Sequence, residues 1–296
     1  LYSCSTMVSS IGSYVASFLG AGEIKASPGL RDQLHASMHA IHAEAQSNVF
    51  LQNLISCKMS CSKAYVVYLC NLFWLHQALE RAQEKIVEKV GSSSFVFPFL
   101  YRSEKLLRDI HLWSFPNPTS IYFADKEEKS GEFIENIKRF VQPSVFEFIG
   151  RLEVSTAEDP LIAVGAMYAF YGTVMSGGQF VKEGVKKAFL TRLEEAREEF
   201  SEGVSCDSAL KAKLLASPGA EESYIEESVS FFSIPEVNIT DFKPHWHEAL
   251  DKVALYFKGE ARVLFEKKTV ELCHESMRVV LTSIESFHEM LRKGEI

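Results

Sequence analysis

The chain has 296 residues, of which 47% are hydrophobic and 24% are charged, and its formal net charge at pH 7 is −8. This is the composition of an ordinary globular protein, long enough for one large domain or two. The acidic balance and the lack of any block of Lys and Arg argue against a nucleic-acid partner, whose phosphates require a basic face.

The N-terminal stretch from Leu1 to Gly22 has no charged residue and is rich in Ser and Gly. We expect residues 1–29 to form a flexible segment. Its Ser-rich, acid-free composition is typical of the remainder of an organellar transit peptide, although such peptides usually carry Arg. A secretory leader and a segment without a targeting role stay open. Ser and Gly interrupt the stretch too often for it to span a bilayer, and no later segment predicts a transmembrane anchor.

Apolar residues beyond residue 29 recur at every third or fourth position, which is the spacing of one helix face. They include Leu34, Met38, Ile41 and Ala45, and then Tyr65, Leu69, Leu72, Leu75 and Leu79. Further helices are predicted at about residues 103–114, 132–154, 160–188, 241–257 and 261–292. Strand signals are poor, so we expect an all-α fold with a single domain over residues 30–296.

A Glu-rich stretch at about residues 190–228 interrupts this pattern, and we expect it to form a solvated helix and a mobile loop inserted into the domain. The six cysteines have no framework spacing and indicate reduced thiols. The protein is therefore expected inside the cell, in the cytoplasm or in an organelle such as a mitochondrion or plastid.

Two glycines, Gly177 and Gly178, interrupt an apolar helical run. Each costs about 1 kcal/mol relative to Ala in a helix, so a role for exposed backbone is expected. A flat ligand pressed against the helix is one such role, and a helix end or a tight helix crossing are the alternatives.

Three histidines, His35, His39 and His42, follow one another at spacings of four and three and therefore lie near one side of a helix. A neutral imidazole in this position can ligate a metal ion or a heme iron. Packed or surface histidines are the ordinary alternative. The spacing also permits a zinc site, but no carboxylate or cysteine at a suitable distance supports one.

Two motifs together resemble the heme oxygenase family: Ile41-His42-Ala43-Glu44-Ala45-Gln46 followed by Phe50, and Ser176-Gly177-Gly178-Gln179. Segments beginning at Phe73, Phe97, Pro160 and Phe231 match the family pattern in the same order, so the resemblance covers about residues 30–291. It implies heme held between a proximal helix and a glycine-kinked distal helix. Heme would be both cofactor and substrate, cleaved to biliverdin, carbon monoxide and ferrous iron with O2 and electrons from a reductase or ferredoxin.

The resemblance also implies a role for each matching residue. His42 would be the axial iron ligand, with Gln46 beside it where the family usually has Glu. On the distal side, Gly177 and Gly178 would approach the heme, and Thr173 or His76 would hold a water. The heme carboxylates would be anchored by four side chains: His35, Tyr168, Lys243 and His247.

Val174 is the main departure, because the family usually has an aspartate there that organises proton-delivering waters. General acid assistance is worth roughly a hundredfold or more in rate. His35 and His247 also stand where Lys and Arg are usual. The rival interpretation is therefore a catalytically inactive relative that binds heme or serves as a structural subunit of an organellar assembly, while His42 and the glycine pair favour the enzyme.

Overall fold

The computed structural model of the chain describes residues 29–55, 62–91, 96–113, 130–201 and 225–293. These residues form helices and turns and contain no strand. The predicted all-α fold is therefore confirmed. The N-terminal segment to residue 28 and most of the Glu-rich stretch lie outside the described residues, so the predictions for them are not tested.

The helices follow in the order α1 (Leu30–Ser47), α2 (Val49–Ile55), α3 (Ser62–Val90), α4 (Ser103–Trp113), α5 (Ser130–Lys138), α6 (Pro143–Glu158), α7 (Val164–Met175), α8 (Gly177–Ser201), α9 (Ile239–Val253) and α10 (Gly259–Lys293). Short 3₁₀ turns at Pro98–Leu100, Pro160–Ala163, Ser230–Phe232 and Ala254–Tyr256 connect them.

The apolar stripes predicted for α1 and α3 are buried. Leu34, Met38 and Ile41 of α1 are at most 3% exposed, and the five apolar positions named for α3 are at most 4% exposed. Burial of each such side chain contributes roughly 1.5–3 kcal/mol. The long helix α10 packs along α1, α3, α6 and α7 and so closes the core.

Helix α7 lies at the centre of the molecule, and only Gly172 and Thr173 among its residues are not fully buried. Its crossing with α10 is so close that a Cβ atom at Gly165 would lie 2.0 Å from the carbonyl oxygen of Thr269. The tight helix crossing considered for the glycine pair therefore occurs instead at Gly165.

Two predicted helices are each interrupted. The helix expected over 132–154 is divided at residues 139–142, because Pro143 lacks an N–H and starts α6 as its first residue. The helix expected over 160–188 begins as a 3₁₀ turn, breaks at Ser176 and then continues to Ser201. None of the described helices is alone long and apolar enough to cross a membrane, although the bent pair 160–175 and 177–191 has the required length and composition.

Candidate functional site

Helix α9 fixes the start of α1 through a carboxylate. The Asp251 side chain accepts a hydrogen bond from the backbone N–H of Arg31 at 2.8 Å, in the first turn of α1. Gly29 allows this approach, since a Cβ atom there would lie 3.0 Å from the same carboxylate oxygen. Lys243, His247 and Asp251 are spaced by four, so the face of α9 that caps α1 also presents a lysine and a histidine.

The basic side chains of α1 and α9 share one region of the molecule, because they lie close enough to lower one another's pKa. The pKa of His42 is lowered by burial and then by the charges of His35, His39 and Lys243. The pKa of His247 is lowered to about 4 by burial and then by Lys243, Arg31 and His35. Burial also lowers the pKa of Lys243 to about 8. At neutral pH this region therefore holds mainly neutral imidazoles beside a mainly protonated lysine.

The imidazole of His42 is exposed to solvent, yet loss of hydration is the main cause of its lowered pKa. We call the region around His35, His42, Lys243 and His247, between α1 and α9, the cleft. His35 lies two turns earlier on the same face of α1 and is half-buried. Both imidazoles are accessible in the form that coordinates metals or donates one hydrogen bond.

Tyr168 joins this cleft from α7. Its ring stacks on Trp246 of α9 with centroids 5.8 Å apart and an angle of 8° between the planes. The ring of His247 lies 5.9 Å away. Burial raises the pKa of Tyr168, so its phenol stays protonated and can donate a hydrogen bond. Among the predicted residues, His35, His42, Tyr168, Lys243 and His247 thus come together.

The distal segment bends by 49° between α7 and α8. The side chain of Gln179 donates from Nε2 to the carbonyl oxygens of Val174 at 2.8 Å and Phe232 at 2.9 Å. Lys243 donates from Nζ to Ser176 Oγ at 2.5 Å. The bend is therefore held by a side chain from α8 and by one from α9.

The two glycines at the bend have different surroundings. A Cβ atom at Gly177 would have no atom of the described residues within 4 Å, so open space adjoins its backbone there. A Cβ atom at Gly178 would lie 2.9 Å from Cδ1 of Phe232 and 3.2 Å from the carbonyl oxygen of Thr173. The structure thus places Gly177 beside open space and Gly178 against the protein. The predicted approach of both glycines to a ligand fits Gly177 only.

The segment that packs on Gly178 is fixed by buried polar groups. The carboxylate of Asp109 accepts from the backbone N–H groups of Ser230 and Phe231, each at 3.0 Å. The guanidinium of Arg102 donates to the carbonyl oxygen of Ser233 at 2.7 Å. Burial raises the pKa of Asp109 to about 7. These contacts hold the Ser230–Phe232 turn, and therefore the ring of Phe232, in place.

Neither Thr173 nor Val174 offers an acid. The hydroxyl of Thr173 donates to the carbonyl oxygen of Ala169 at 2.6 Å and lies 3.4 Å from Sδ of Met277. Val174 is 2% exposed. The turn before the bend therefore has no titratable side chain and a hydroxyl that already donates to its own helix.

His76 lies apart from the cleft, in an aromatic enclosure. Its ring is within 6 Å of those of Phe170, Tyr171 and Phe231, and it is 1% exposed. Burial, and then the charge of Arg102, lower its pKa to about 3. The structure therefore places His76 in the buried core, whereas His42 is exposed to solvent.

Gln46 lies exposed one turn beyond His42, and its backbone carbonyl accepts from Gln52 Nε2 at 2.8 Å. Its predicted role beside the iron ligand stays a prediction. Sequence reasoning missed Asp251, Ser176 and Gln179 as residues that shape the site. The four-residue spacing from His247 indicates Asp251, and the Ser-Gly-Gly-Gln motif contains the other two.

Residues 29–142 match the sequence model of the family described as heme oxygenase. This segment contains α1 with His42. The sequence of this segment is similar to the heme oxygenase family. No curated protein sequence matches it significantly.

Solved structures show that the heme oxygenase fold extends over most of the chain. Heme oxygenase-2 from Synechocystis sp. PCC 6803, in complex with heme and NO, matches 90% of this chain and 88% of its own at a TM-score of 0.61 and 16% identity. Heme oxygenase from Leptospira interrogans matches 86% and 98% at a TM-score of 0.58 and 17% identity. Heme oxygenase 2 from Chlamydomonas reinhardtii, without heme, matches 86% and 96% at a TM-score of 0.57 and 13% identity. At these identities the likeness shows the shared fold alone.

The residues of the cleft fit heme by their chemistry. Heme binding requires a neutral imidazole for the iron and cations or hydrogen-bond donors for the carboxylates. His42 has the chemistry required for the first, and Lys243, His35, His247 and Tyr168 have the chemistry required for the second. In the part of the chain that the structure describes, no three His, Cys, Asp or Glu side chains are grouped to hold a bare metal ion.

Proposed function

We propose that this protein binds heme in the cleft between α1, α9 and the bend of the distal segment, and cleaves it oxidatively. The observation that carries the proposal is the convergence of an accessible neutral imidazole, His42, with a lysine whose ammonium contacts the bend. Lys243 contacts Ser176, which directly precedes Gly177. The backbone of Gly177, which adjoins open space, therefore lies near the region that Lys243 shares with His42.

Each side chain has a task in this proposal. His42 would hold the iron through its unprotonated nitrogen. Lys243 would pair with a carboxylate, which is a stronger contact than two neutral groups make. His35, His247 and Tyr168 would add hydrogen bonds. Heme supplies the iron that activates O2 and is itself the substrate, yielding biliverdin, carbon monoxide and ferrous iron with electrons from a reductase or ferredoxin.

The distal side supplies space and little proton chemistry. At Gly177 no side chain separates the backbone from the open space, so the ligand face can approach closely. Thr173 already donates to Ala169, and Val174 has no polar group. Protons for cleavage would therefore have to arrive through water, and turnover should be slow.

The lack of a carboxyl group at Thr173 and Val174 also favours a second candidate, a protein that binds heme without cleaving it. Without a carboxyl group at positions 173 and 174, the cleft keeps its affinity for heme and loses the general acid assistance of such a group, which is worth roughly a hundredfold or more. Both candidates share the binding mode and differ in the fate of the heme once the iron is reduced.

A hemin titration followed by reductant and O2 separates the candidates. We expect a Soret band in the wild type, which decays to a biliverdin band with release of carbon monoxide. A Soret band that persists would support the non-catalytic binder. If no Soret band forms, heme binding is wrong and a structural role, such as a subunit of an organellar assembly, becomes the better hypothesis.

A further inference from the structure

Ser176 is the single residue between α7 and α8, and its hydroxyl contacts the lysine of the cleft. Its φ of −122° and ψ of −90° end α7, and α8 starts at the next residue. Lys243 Nζ donates to Ser176 Oγ at 2.5 Å. One side chain of α9 is therefore attached to the point about which the distal segment bends.

The bend is held from two sides. Gln179 bonds to the carbonyl oxygens of Val174 and Phe232, on the side where Gly178 packs against the protein. Lys243 holds Ser176 from the side of the cleft, since its charge acts on His42 and His247. The first contact joins parts of the protein interior. The second uses a group that an anionic ligand can also bind.

We propose that Ser176 is a positioning residue that couples the binding of a carboxylate ligand by Lys243 to release of the bend. In the ligand-free protein its hydroxyl holds the ammonium of Lys243. An incoming carboxylate takes that ammonium, because an ion pair with a hydrogen bond is stronger than a hydrogen bond to a hydroxyl. Ser176 is then released, and the backbone at Gly177 can adjust to the face of the ligand.

This inference rests on the proposed function for the identity of the ligand, but the contact itself can be tested without ligand. Ser176→Ala removes the acceptor. Ser176→Thr keeps a hydroxyl and is the conservative variant. Thr173→Ser, one turn earlier, keeps its hydroxyl bond to Ala169 and is the matched control. Thermal unfolding of each variant establishes that it is folded.

Hydrogen exchange of the ligand-free proteins is the first measurement. We expect the amides of residues 177–180 to exchange several-fold faster in Ser176→Ala than in the wild type, with Ser176→Thr and Thr173→Ser unchanged. Equal exchange in Ser176→Ala and the wild type would overturn the inference, because the contact would then not hold the bend.

Affinity for two probes is the second measurement, with hemin and with hemin dimethyl ester, whose carboxylates are blocked. Removing the competing hydroxyl should tighten hemin binding roughly three- to tenfold, within the range for the net contribution of an ordinary hydrogen bond. Binding of the ester should stay as in the wild type. Weaker hemin binding by Ser176→Ala would mean that Ser176 orients Lys243 for the ligand, and the proposed competition for Lys243 would be wrong.

The two proposals fail differently. If the wild type binds neither probe, the proposed function falls and competition for Lys243 by heme falls with it. The exchange measurement then still decides whether the Lys243–Ser176 contact holds the bend. If the wild type binds hemin and its affinity does not respond to Ser176→Ala, only the inference about Ser176 falls.

Discussion

His42 and His76 are both imidazoles whose pKa is lowered by lost hydration, but they stand in opposite surroundings. His42 is accessible in the wall of a cleft, among cations from α1 and α9. His76 is enclosed by three aromatic rings, and its Nδ1 has no hydrogen-bond partner among the residues that the structure describes. A lowered pKa therefore does not distinguish a ligand site from a core position in this protein. Exposure to solvent and the proximity of other basic groups distinguish the ligand site from the core position.

The largest effect should come from replacing His42, with a substitution of His76 as the control. His42→Ala should abolish the spectrum of histidine-ligated heme and weaken hemin binding at least about tenfold, as expected for loss of a metal ligand. Hemin titration monitored at the Soret band measures both. His76→Phe is the matched control and should keep the spectrum.

The control variant His76→Phe should also change the free energy of unfolding in a predictable direction. Phe fills the aromatic enclosure and removes a buried unpaired nitrogen, so the free energy of unfolding of His76→Phe should equal that of the wild type or exceed it by about 1 kcal/mol. A loss of heme ligation in His76→Phe, with ligation kept in His42→Ala, would reverse the comparison. If both variants keep histidine-ligated heme, His39 is the next candidate ligand on α1.

Val174→Asp tests whether the buried position 174, in the last turn of α7, can accept a charged side chain. Burying a carboxylate without a partner should lower the free energy of unfolding by about 3 kcal/mol and raise the pKa of the new Asp. Urea unfolding measures the loss, and Val174→Thr, which adds only a hydroxyl, should lose less. Undiminished stability of Val174→Asp would show that water reaches this position.

Turnover of the same variant, measured in folded, heme-loaded samples, tests proton delivery on the distal side. The carboxylate should order distal waters, so heme cleavage should accelerate and the biliverdin isomers should narrow in number. Rapid cleavage to a single isomer by the wild type would contradict the importance given to Val174.

The pH dependence of the cleft should follow Lys243. Burial lowers its pKa to about 8 from an ordinary 10.5, so protonation favours the unfolded chain between these values. The free energy of unfolding should therefore rise with pH across that window. Hemin affinity should have the opposite sign and fall by up to about tenfold per pH unit above 8, because a neutral amine cannot pair with a carboxylate.

The neighbours of Lys243 do not obscure this test. The pKa values of the facing imidazoles, His35, His42 and His247, are lowered, so these groups stay neutral above pH 8. Arg31 stays charged throughout. Lys243→Met should bind hemin more weakly and lose the pH dependence. A flat hemin affinity from pH 7 to 10 in the wild type would exclude Lys243 as the carboxylate partner.

The smallest effects should separate the two glycines at the bend. Gly178→Ala places a methyl group 2.9 Å from the ring of Phe232 and should lower the free energy of unfolding by about 1–2 kcal/mol. Gly177→Ala meets no atom and should leave stability unchanged or raise it by less than about 1 kcal/mol. Thermal unfolding of both variants checks the order, and the reverse order would contradict the different surroundings described for the pair.

Helical periodicity predicted most of the fold because most of the stability comes from apolar stripes that repeat along single helices. Leu34, Met38 and Ile41 are buried for this reason. The breaks were harder to predict. Pro143 signals one locally, but the break at Ser176 depends on side chains far away in sequence, such as Lys243.

The candidate site likewise has features that the sequence predicts and features that depend on residues distant in sequence. His42 and the basic residues follow from family motifs, and the structure brings them together. The different roles of Gly177 and Gly178 cannot be predicted from two identical letters, because Phe232 decides them and lies on another segment. His76 matched the family pattern by position, yet its surroundings come from α3, α7 and the Ser230–Phe232 turn.

The contact of Gly165 with Thr269 has a consequence for how this protein can diverge. At that crossing α7 rests on the backbone of α10, without an intervening side chain on α7. The spacing of these two helices therefore does not depend on the side chains that α7 carries further along. Substitutions at positions such as 173 and 174 can change the chemistry of the distal side while its dimensions persist, which explains how a heme oxygenase fold can carry Thr and Val near the bend.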